Sequence, residues 1–378
     1  MRELENRERS GESVGAISVS SVSLDGFRNY RRLDLDLSSR FNVLSGRNGQ
    51  GKTNFLEALY LLATTRLLRG QRDIEAILEG MDRAVVTAEL DPSATRISVI
   101  IEKGARKKAL LNNLGLPRAS DLLGRLPCVS VSSADMEIVR GEPSERRLFL
   151  DLELSSLFPS YLRHLSHYKR ALEQRNALLK DSREFQRPAA MFEPWEEQLA
   201  EHGVAMRESR QDFVTRLAPR MSRLHAQMGG GEHVGALYVA RDEATDRATM
   251  LEMLASSRQQ EIARGSTIIG PHRDDVQIDI SERDGRLYGS QGQQRTAVIA
   301  LKLATLEVSR QELGIPPLLL LDDIFSDLDE SRRALLVDVV LENAGQVVLT
   351  CTEASAAGPR ILDQAKLFSV NAGEVTES

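Results

Sequence analysis

Eight consecutive residues, Gly46-Arg47-Asn48-Gly49-Gln50-Gly51-Lys52-Thr53, fill every fixed position of the pattern G-x-x-x-x-G-K-[ST]. Glycine reaches backbone angles closed to other residues, so Gly46, Gly49 and Gly51 allow successive N–H groups to turn inward toward one anion. A helix that starts just beyond adds partial positive charge at the same point. In such a loop Lys52 reaches the β- and γ-phosphates of a nucleoside triphosphate, and the Thr53 hydroxyl ligates Mg2+. ATP and Mg2+ are therefore the expected ligands. The flanks support this reading: Phe41-Asn42-Val43-Leu44 has the pattern of a short strand, and Asn54 to Leu62 carries helical apolar spacing. A glycine-rich turn that merely precedes a lysine would need neither.

A second segment supplies carboxylates. The run Leu318-Leu319-Leu320-Leu321 follows Pro316-Pro317 and ends in Asp322-Asp323. Its length and unbroken hydrophobicity fit a strand buried on both faces, as in a parallel sheet covered by helices. Asp322 would emerge at the strand's C-terminal edge, where open α/β sheets bind ligands, and could hold Mg2+ through water. Asp323 stands one residue on, placed to orient or deprotonate an attacking water. A strand followed by a capped turn would also use aspartates. Beside a phosphate loop, the catalytic candidates are Asp322 and Asp323 and the metal candidates Thr53 and Asp322.

A third string, Ser290-Gln291-Gly292-Gln293, precedes a stretch from Ala297 to about Leu313 in which Ile299, Leu303, Leu306 and Leu313 fall on one helix face. A Ser hydroxyl and a Gly N–H at a helix start form an anion site, here without a lysine or a metal ligand of its own. Taken alone, a plain helix cap explains the string equally well.

The order of these parts, followed by Ser326-Asp327-Leu328-Asp329, is similar to that of ABC-type ATPases of the SMC group. Longer strings narrow the resemblance. Phe27-Arg28-Asn29-Tyr30, Asn48 to Asn54, Gly141-Glu142-Pro143-Ser144-Glu145-Arg146-Arg147, Gly270-Pro271-His272-Arg273-Asp274-Asp275 and Gly289 to Thr296 together resemble the RecF family of bacterial recombination mediators, from about Ile17 to about Val370. The resemblance implies an ATP-dependent homodimer. Lys52, Thr53 and Asp322 of one copy would serve nucleotide and Mg2+, while Ser290 and Gly292 of the other cover the same γ-phosphate, and Asp329 contacts the opposite subunit. It also implies duplex DNA near single-strand junctions as the substrate, and RecR, with RecO as a further candidate, as partners. Two departures from transporter-type relatives stand out: Asp323 where those carry Glu, and no His near Thr350-Cys351-Thr352. A shorter carboxylate predicts slow hydrolysis, suited to a switch. No Gln matches their metal-contacting loop, and Ser133 and Asp135 lie in that region. In Gly270 to Asp275, His272 is either part of a structural turn or a contact near the nucleotide or its hinge; it is left out of the catalytic set.

These parts need elements to position them. With 378 residues and 41% hydrophobic content the chain can bury a large core in two lobes. The fold class expected is α/β: an ABC-type ATPase head, a mixed sheet with flanking helices, carrying an inserted and mainly helical lobe. The expected divisions are a tail over 1–14, head over 15–147, helical arm over 148–266 and head again over 267–378. The arm rests on two helical stretches, Pro159 to Lys180 and Pro194 through His225, separated by a break and closed by Gly229-Gly230-Gly231. An ordinary helical subdomain packed on the head would read the same way.

Cys128 and Cys351 are the two cysteines, both in apolar runs, so neither a disulfide framework nor a zinc site is indicated. No signal segment or membrane span is read, and a soluble cytoplasmic protein without membrane partners is expected. The net charge of −6 opposes nucleic-acid binding only on average, because local clusters decide association. Candidate clusters are Arg66, Arg69 and Arg72; Arg106-Lys107-Lys108; and Arg163, Lys169, Arg170 and Arg175. Aromatic content of 4% argues against base stacking and for backbone contacts to duplex DNA. Rival readings are a transporter ATPase subunit, a small-molecule P-loop kinase and a purely structural bridge.

Overall fold

The computed structural model describes residues 16–68, 72–185, 187–228, 231–325 and 328–378. The expected tail, Arg69, Gly229, Gly230, Ser326 and Asp327 lie outside the described residues. The chain forms two compact units, one running up to Asp135 and resuming at Thr305–Ser378, the other Met136–Ala304.

The first unit holds two six-stranded sheets. Strands β1 (Ser18–Phe27), β2 (Tyr30–Asp36), β4 (Arg83–Asp91), β5 (Thr95–Glu102), β6 (Lys108–Leu111) and β7 (Leu114–Gly115) form an antiparallel sheet in the order β2-β1-β4-β5-β6-β7. The other sheet contains β3 (Phe41–Ser45), β8 (Cys128–Val131), β12 (Leu318–Asp322), β13 (Val347–Cys351), β14 (Ala365–Asn371) and β15 (Glu374–Glu377). Its order is β15-β14-β3-β13-β12-β8, parallel throughout except for β15. The four leucines of β12 are fully buried, as a strand covered on both faces requires.

Helix α1 (Lys52–Thr64) packs against β8, β12 and β13 of one sheet and β4 and β5 of the other. That position explains why Phe55, Leu56, Ala58, Leu59, Leu61 and Leu62 bury the helix around most of its circumference rather than along one stripe. The parallel register aligns the strand ends: Asp322 pairs with Thr350 of β13, and Thr350 with Leu44 of β3. Loop, threonine and carboxylate therefore meet at one edge.

The second unit is helical around a small sheet. Its helices are α2 (Pro143–Leu157), α3 (Pro159–Asp181), α4 (Glu193–Gln227), α5 (Arg247–Arg264) and the start of α6 (Gln291–Leu313). Its strands β9 (Val234–Val239), β10 (Asp275–Ile280) and β11 (Arg283–Asp284) are antiparallel in the order β11-β10-β9. Helices α3 and α4 pack side by side, with Tyr161, Leu165, Tyr168 and Leu179 of one and Leu199, Met206, Phe213, Leu217, Met221 and Leu224 of the other buried. The sequence placed boundaries at 147/148 and 266/267, whereas the compact units part at 135/136 and 304/305. Ion pairs account for the difference. Asp275 holds Arg146 of α2 at 2.8 Å, Asp274 holds Arg207 of α4 at 2.8 Å, and β10 pairs with β9, so residues on both sides of the arm close on it.

One buried network corrects the sequence reading of charge. Arg175, grouped above with a cationic stripe, has no exposed surface; it pairs with Glu196 at 3.0 Å and Glu261 at 2.6 Å, while Arg258 also reaches Glu196 at 2.6 Å. Lys169 of the same stripe pairs with Asp151 at 3.2 Å. Removing the guanidinium would strand a carboxylate in the interior. Arg175→Met is expected to lower the unfolding free energy by about 3–5 kcal/mol in urea titrations; a loss below about 1 kcal/mol would contradict this account of the arm.

Candidate nucleotide-binding site

Between β3 and α1 the chain turns through Gly46, Gly49 and Gly51 at φ of 152°, 79° and 120°, all outside the range ordinary residues favour. Gly51 has a second constraint. A Cβ there would lie 2.6 Å from Asn29 Nδ2. Asn29 belongs to the turn between β1 and β2, and this turn braces the loop. Its Nδ2 donates to Gln50 O at 3.0 Å, Asn54 Nδ2 donates to its Oδ1 at 2.8 Å, and the Tyr30 hydroxyl donates to Gly51 O at 2.9 Å. Arg28, at φ 54°, pairs with the buried Glu57 of α1 at 2.7 Å. From the other side, the N–H groups of Ala372 and Gly373 donate to Gln50 at 2.8 and 3.0 Å. The loop's shape is thus imposed by neighbours.

Inside the loop the Lys52 ammonium, almost fully buried, donates to the carbonyls of Gly46 and Arg47. Thr53 Oγ1 donates to Asp322 Oδ1 at 2.9 Å, and the buried Thr350 Oγ1 donates to the same oxygen at 2.8 Å. The N–H of Asp323 in turn donates to Thr350 Oγ1 at 3.0 Å. Asp323 sits at φ 52°, a left-handed turn directly after the strand that aspartate tolerates better than most residues. A hydroxyl and a carboxylate this close are two hard oxygen donors, the set that Mg2+ takes when waters and phosphate oxygens fill its remaining positions. Neighbouring Cys351 is no nucleophile, since burial pushes its thiol up to about 11. Ser132 and Asp135 lie at the end of β8, beside β12, with the Ser132 N–H and hydroxyl both donating to Asp135 Oδ2.

The remaining candidates stand on other elements. Ser290, Gln291 and Gly292 are exposed at the start of α6, and nothing lies within 4 Å of where a Cβ on Gly292 would stand. Ser290 and Gln293 form a capping box: Gln293 N donates to Ser290 Oγ at 3.3 Å, and Ser290 N to Gln293 Oε1 at 2.7 Å. Gln293 also reaches Glu232 at 2.7 Å. The helix therefore starts earlier than its apolar spacing predicts. Asp329 caps helix Glu330–Asn343, accepting from Arg332 N at 2.9 Å, a bond that holds its carboxyl below the usual carboxylate range. His272 is bonded within its own unit: it meets the Tyr168 hydroxyl at 2.7 Å and Thr267 O at 3.0 Å, and burial pulls it down to about 4. Sequence reasoning gave no role to Thr350, Asn29 or Tyr30. The last two stood in a recognised string whose purpose spacing alone could not disclose.

This arrangement has relatives. The family model RecF/RecN/SMC N terminal domain matches residues 18–360. The chain is 40% identical to the DNA replication and repair protein RecF of Symbiobacterium thermophilum, covering 94% of this chain and 97% of that one, and 37% identical to its counterpart in Gloeobacter violaceus over 94% and 98%. This chain belongs to the RecF family. A solved structure of the recombination mediator protein RecF-ATPrS in the RecFOR pathway superposes with a TM-score of 0.86 at 30% identity, covering 97% and 99% of the two chains. A Pyrococcus furiosus Smc head domain shares the fold alone, at a TM-score of 0.55, 15% identity and 96% coverage of each chain. The fold is that of the ABC/SMC-type ATPase head, and a transporter subunit is not favoured. No helix among the described residues is long and apolar enough to cross a membrane.

The bracing of Gly51 yields a direct check. Gly51→Ala combines an unfavourable φ with a clash against Asn29, so ATP affinity should fall by at least about tenfold in equilibrium titrations. Unchanged affinity would show that the loop's shape does not depend on this packing.

Proposed function

We propose that this chain is an ATP-dependent DNA-binding protein of replication and recombinational repair, switched by slow hydrolysis in a homodimer. The carrying observation is the division of labour among the anion-binding parts. Thr53 of the Lys52 loop meets Asp322 at 2.9 Å, while the exposed Ser290-Gly292 helix start would serve as a second anion site without a metal ligand of its own. In the proposed assembly two copies face each other, and each loop is closed by the other copy's Ser290, Gln291, Gly292 and Gln293. Asp329 would add a contact across the interface. Relatives whose names refer to DNA replication and repair, and solved structures named for RecF-ATP and the RecFOR pathway, support the reading.

Within one site Lys52 would leave the carbonyls of its own loop for the β- and γ-phosphates, and the inward N–H groups would take the remaining phosphate oxygens. Mg2+, held by Thr53 and Asp322, would neutralise charge building between the phosphates. Asp323 would orient the attacking water and accept its proton. Its side chain is one methylene shorter than Glu, which fits a long-lived bound state. Bound dimer grips duplex DNA near single-strand junctions; hydrolysis releases it. RecR, and RecO as a further candidate, would be recruited to the clamped form, as the family relation implies.

Two substitutions test the assignments. Ser290→Arg should retain ATP binding by the single chain but abolish ATP-dependent association in light scattering, because a guanidinium side chain crowds the facing phosphate; normal association would remove this segment from the interface. Asp323→Asn should slow ATP turnover by about 100-fold or more and prolong the lifetime on duplex DNA. Release at the native rate would exclude Asp323 from the reaction.

A further inference from the structure

The second unit contains a cleft of about 590 Å³ into which four arginines converge: Arg147, Arg241, Arg264 and Arg273. They come from different elements. Arg147 is on α2, Arg264 is the last residue of α5, and Arg241 and Arg273 follow β9 and the Gly270 turn. Arg264 and Arg273 are exposed, and neither guanidinium has a hydrogen-bond or ion-pair acceptor among the described residues. Arg241 has a single long pairing, 3.7 Å to Asp275, and Arg147 donates to the Asp274 carbonyl at 2.8 Å. The one acid on the wall, Glu142, is engaged by Arg286. In a chain of net charge −6, this is a concentrated and largely uncompensated cationic surface.

Its position is fixed. Gly270, at φ 121°, donates to Asp242 at 2.8 Å, Arg273 N donates back to Gly270 O at 3.0 Å, and His272 is bonded at both nitrogens. The backbone that presents Arg273 is therefore already ordered in the free protein. Burial, and after it neighbouring like charge, holds Arg147 below the usual arginine range, so an anion here would favour its charged form. His272 stays neutral near pH 7, which leaves the arginines to carry the cleft's charge.

We propose that this cleft seats the sugar-phosphate backbone of duplex DNA, a deepening that rests on the reading given under Proposed function. An acidic peptide is the chemical competitor. Peptide recognition relies on apolar anchors in pockets, and this wall offers only Pro143 and Ile268 as apolar side chains. A phosphodiester backbone needs charge and N–H donors alone, with the Ser144 hydroxyl and the N-terminus of the 15-residue α2 adding to the guanidinium groups.

The test uses the full chain with ATP and a fluorescent duplex, read by anisotropy across a salt series. Arg264→Gln with Arg273→Gln should weaken binding about tenfold at about 0.1 M salt and make the log–log salt slope shallower by about two. Its ATP-dependent association should stay unchanged, and a control pair of equal charge loss on the first unit, Arg118→Gln with Arg125→Gln, should change binding far less. Equal weakening in both pairs, or native binding by the cleft variant, overturns the proposal. So does polyglutamate of matched charge that binds as tightly as the duplex and is lost in the cleft variant. If the native chain itself ignores duplex DNA with ATP present, the functional reading fails first and takes the cleft assignment with it.

Discussion

A single carboxylate oxygen, Asp322 Oδ1, organises the nucleotide end of this protein. It accepts one hydroxyl from the phosphate loop, Thr53, and one from the neighbouring strand, Thr350. Charge-assisted bonds of this kind are stronger than neutral ones. Two of them fix Asp322 relative to the loop and to the turn that carries Asp323. The parallel register of β3, β13 and β12 makes that meeting possible, because a slip of one residue would send each side chain to the opposite face. The loop is held independently by the Asn29-Tyr30 turn and by the end of β14. Parts distant in sequence thereby form one rigid cradle.

The second unit achieves rigidity differently. Where the first relies on apolar packing around α1, this one threads Arg175, Arg207 and Arg210 through its interior, each paired with at least one carboxylate. Such pairs add little net stability, yet removing one partner is costly, so they enforce one arrangement of the helices.

Local chemistry was the most legible part of the sequence. The loop, the leucine strand with its carboxylates, and both arm helices were readable because each is encoded within a short window whose period or fixed spacing has one physical meaning. What spacing could not disclose was tertiary. Thr350 is an unremarkable residue until the β13–β12 register places it against Asp322, and Arg175 looks like surface charge until two helices enclose it. The unit boundaries were equally hidden, since Asp274 and Asp275 bind the arm through partners more than sixty residues away. The apolar spacing of α6 begins only at Ala297, because its first turn is set by a Ser-Gln capping box rather than by apolar residues.

The central claim is that ATP is held between two copies of this chain. Sedimentation equilibrium of the unmodified protein measures that most directly, with Mg-ATP, with Mg-ADP and with no nucleotide. The account predicts about twice the 42.0 kDa chain mass with Mg-ATP and the single-chain mass in the other two conditions. A single-chain mass at saturating Mg-ATP, with duplex DNA added and protein in excess, would contradict it.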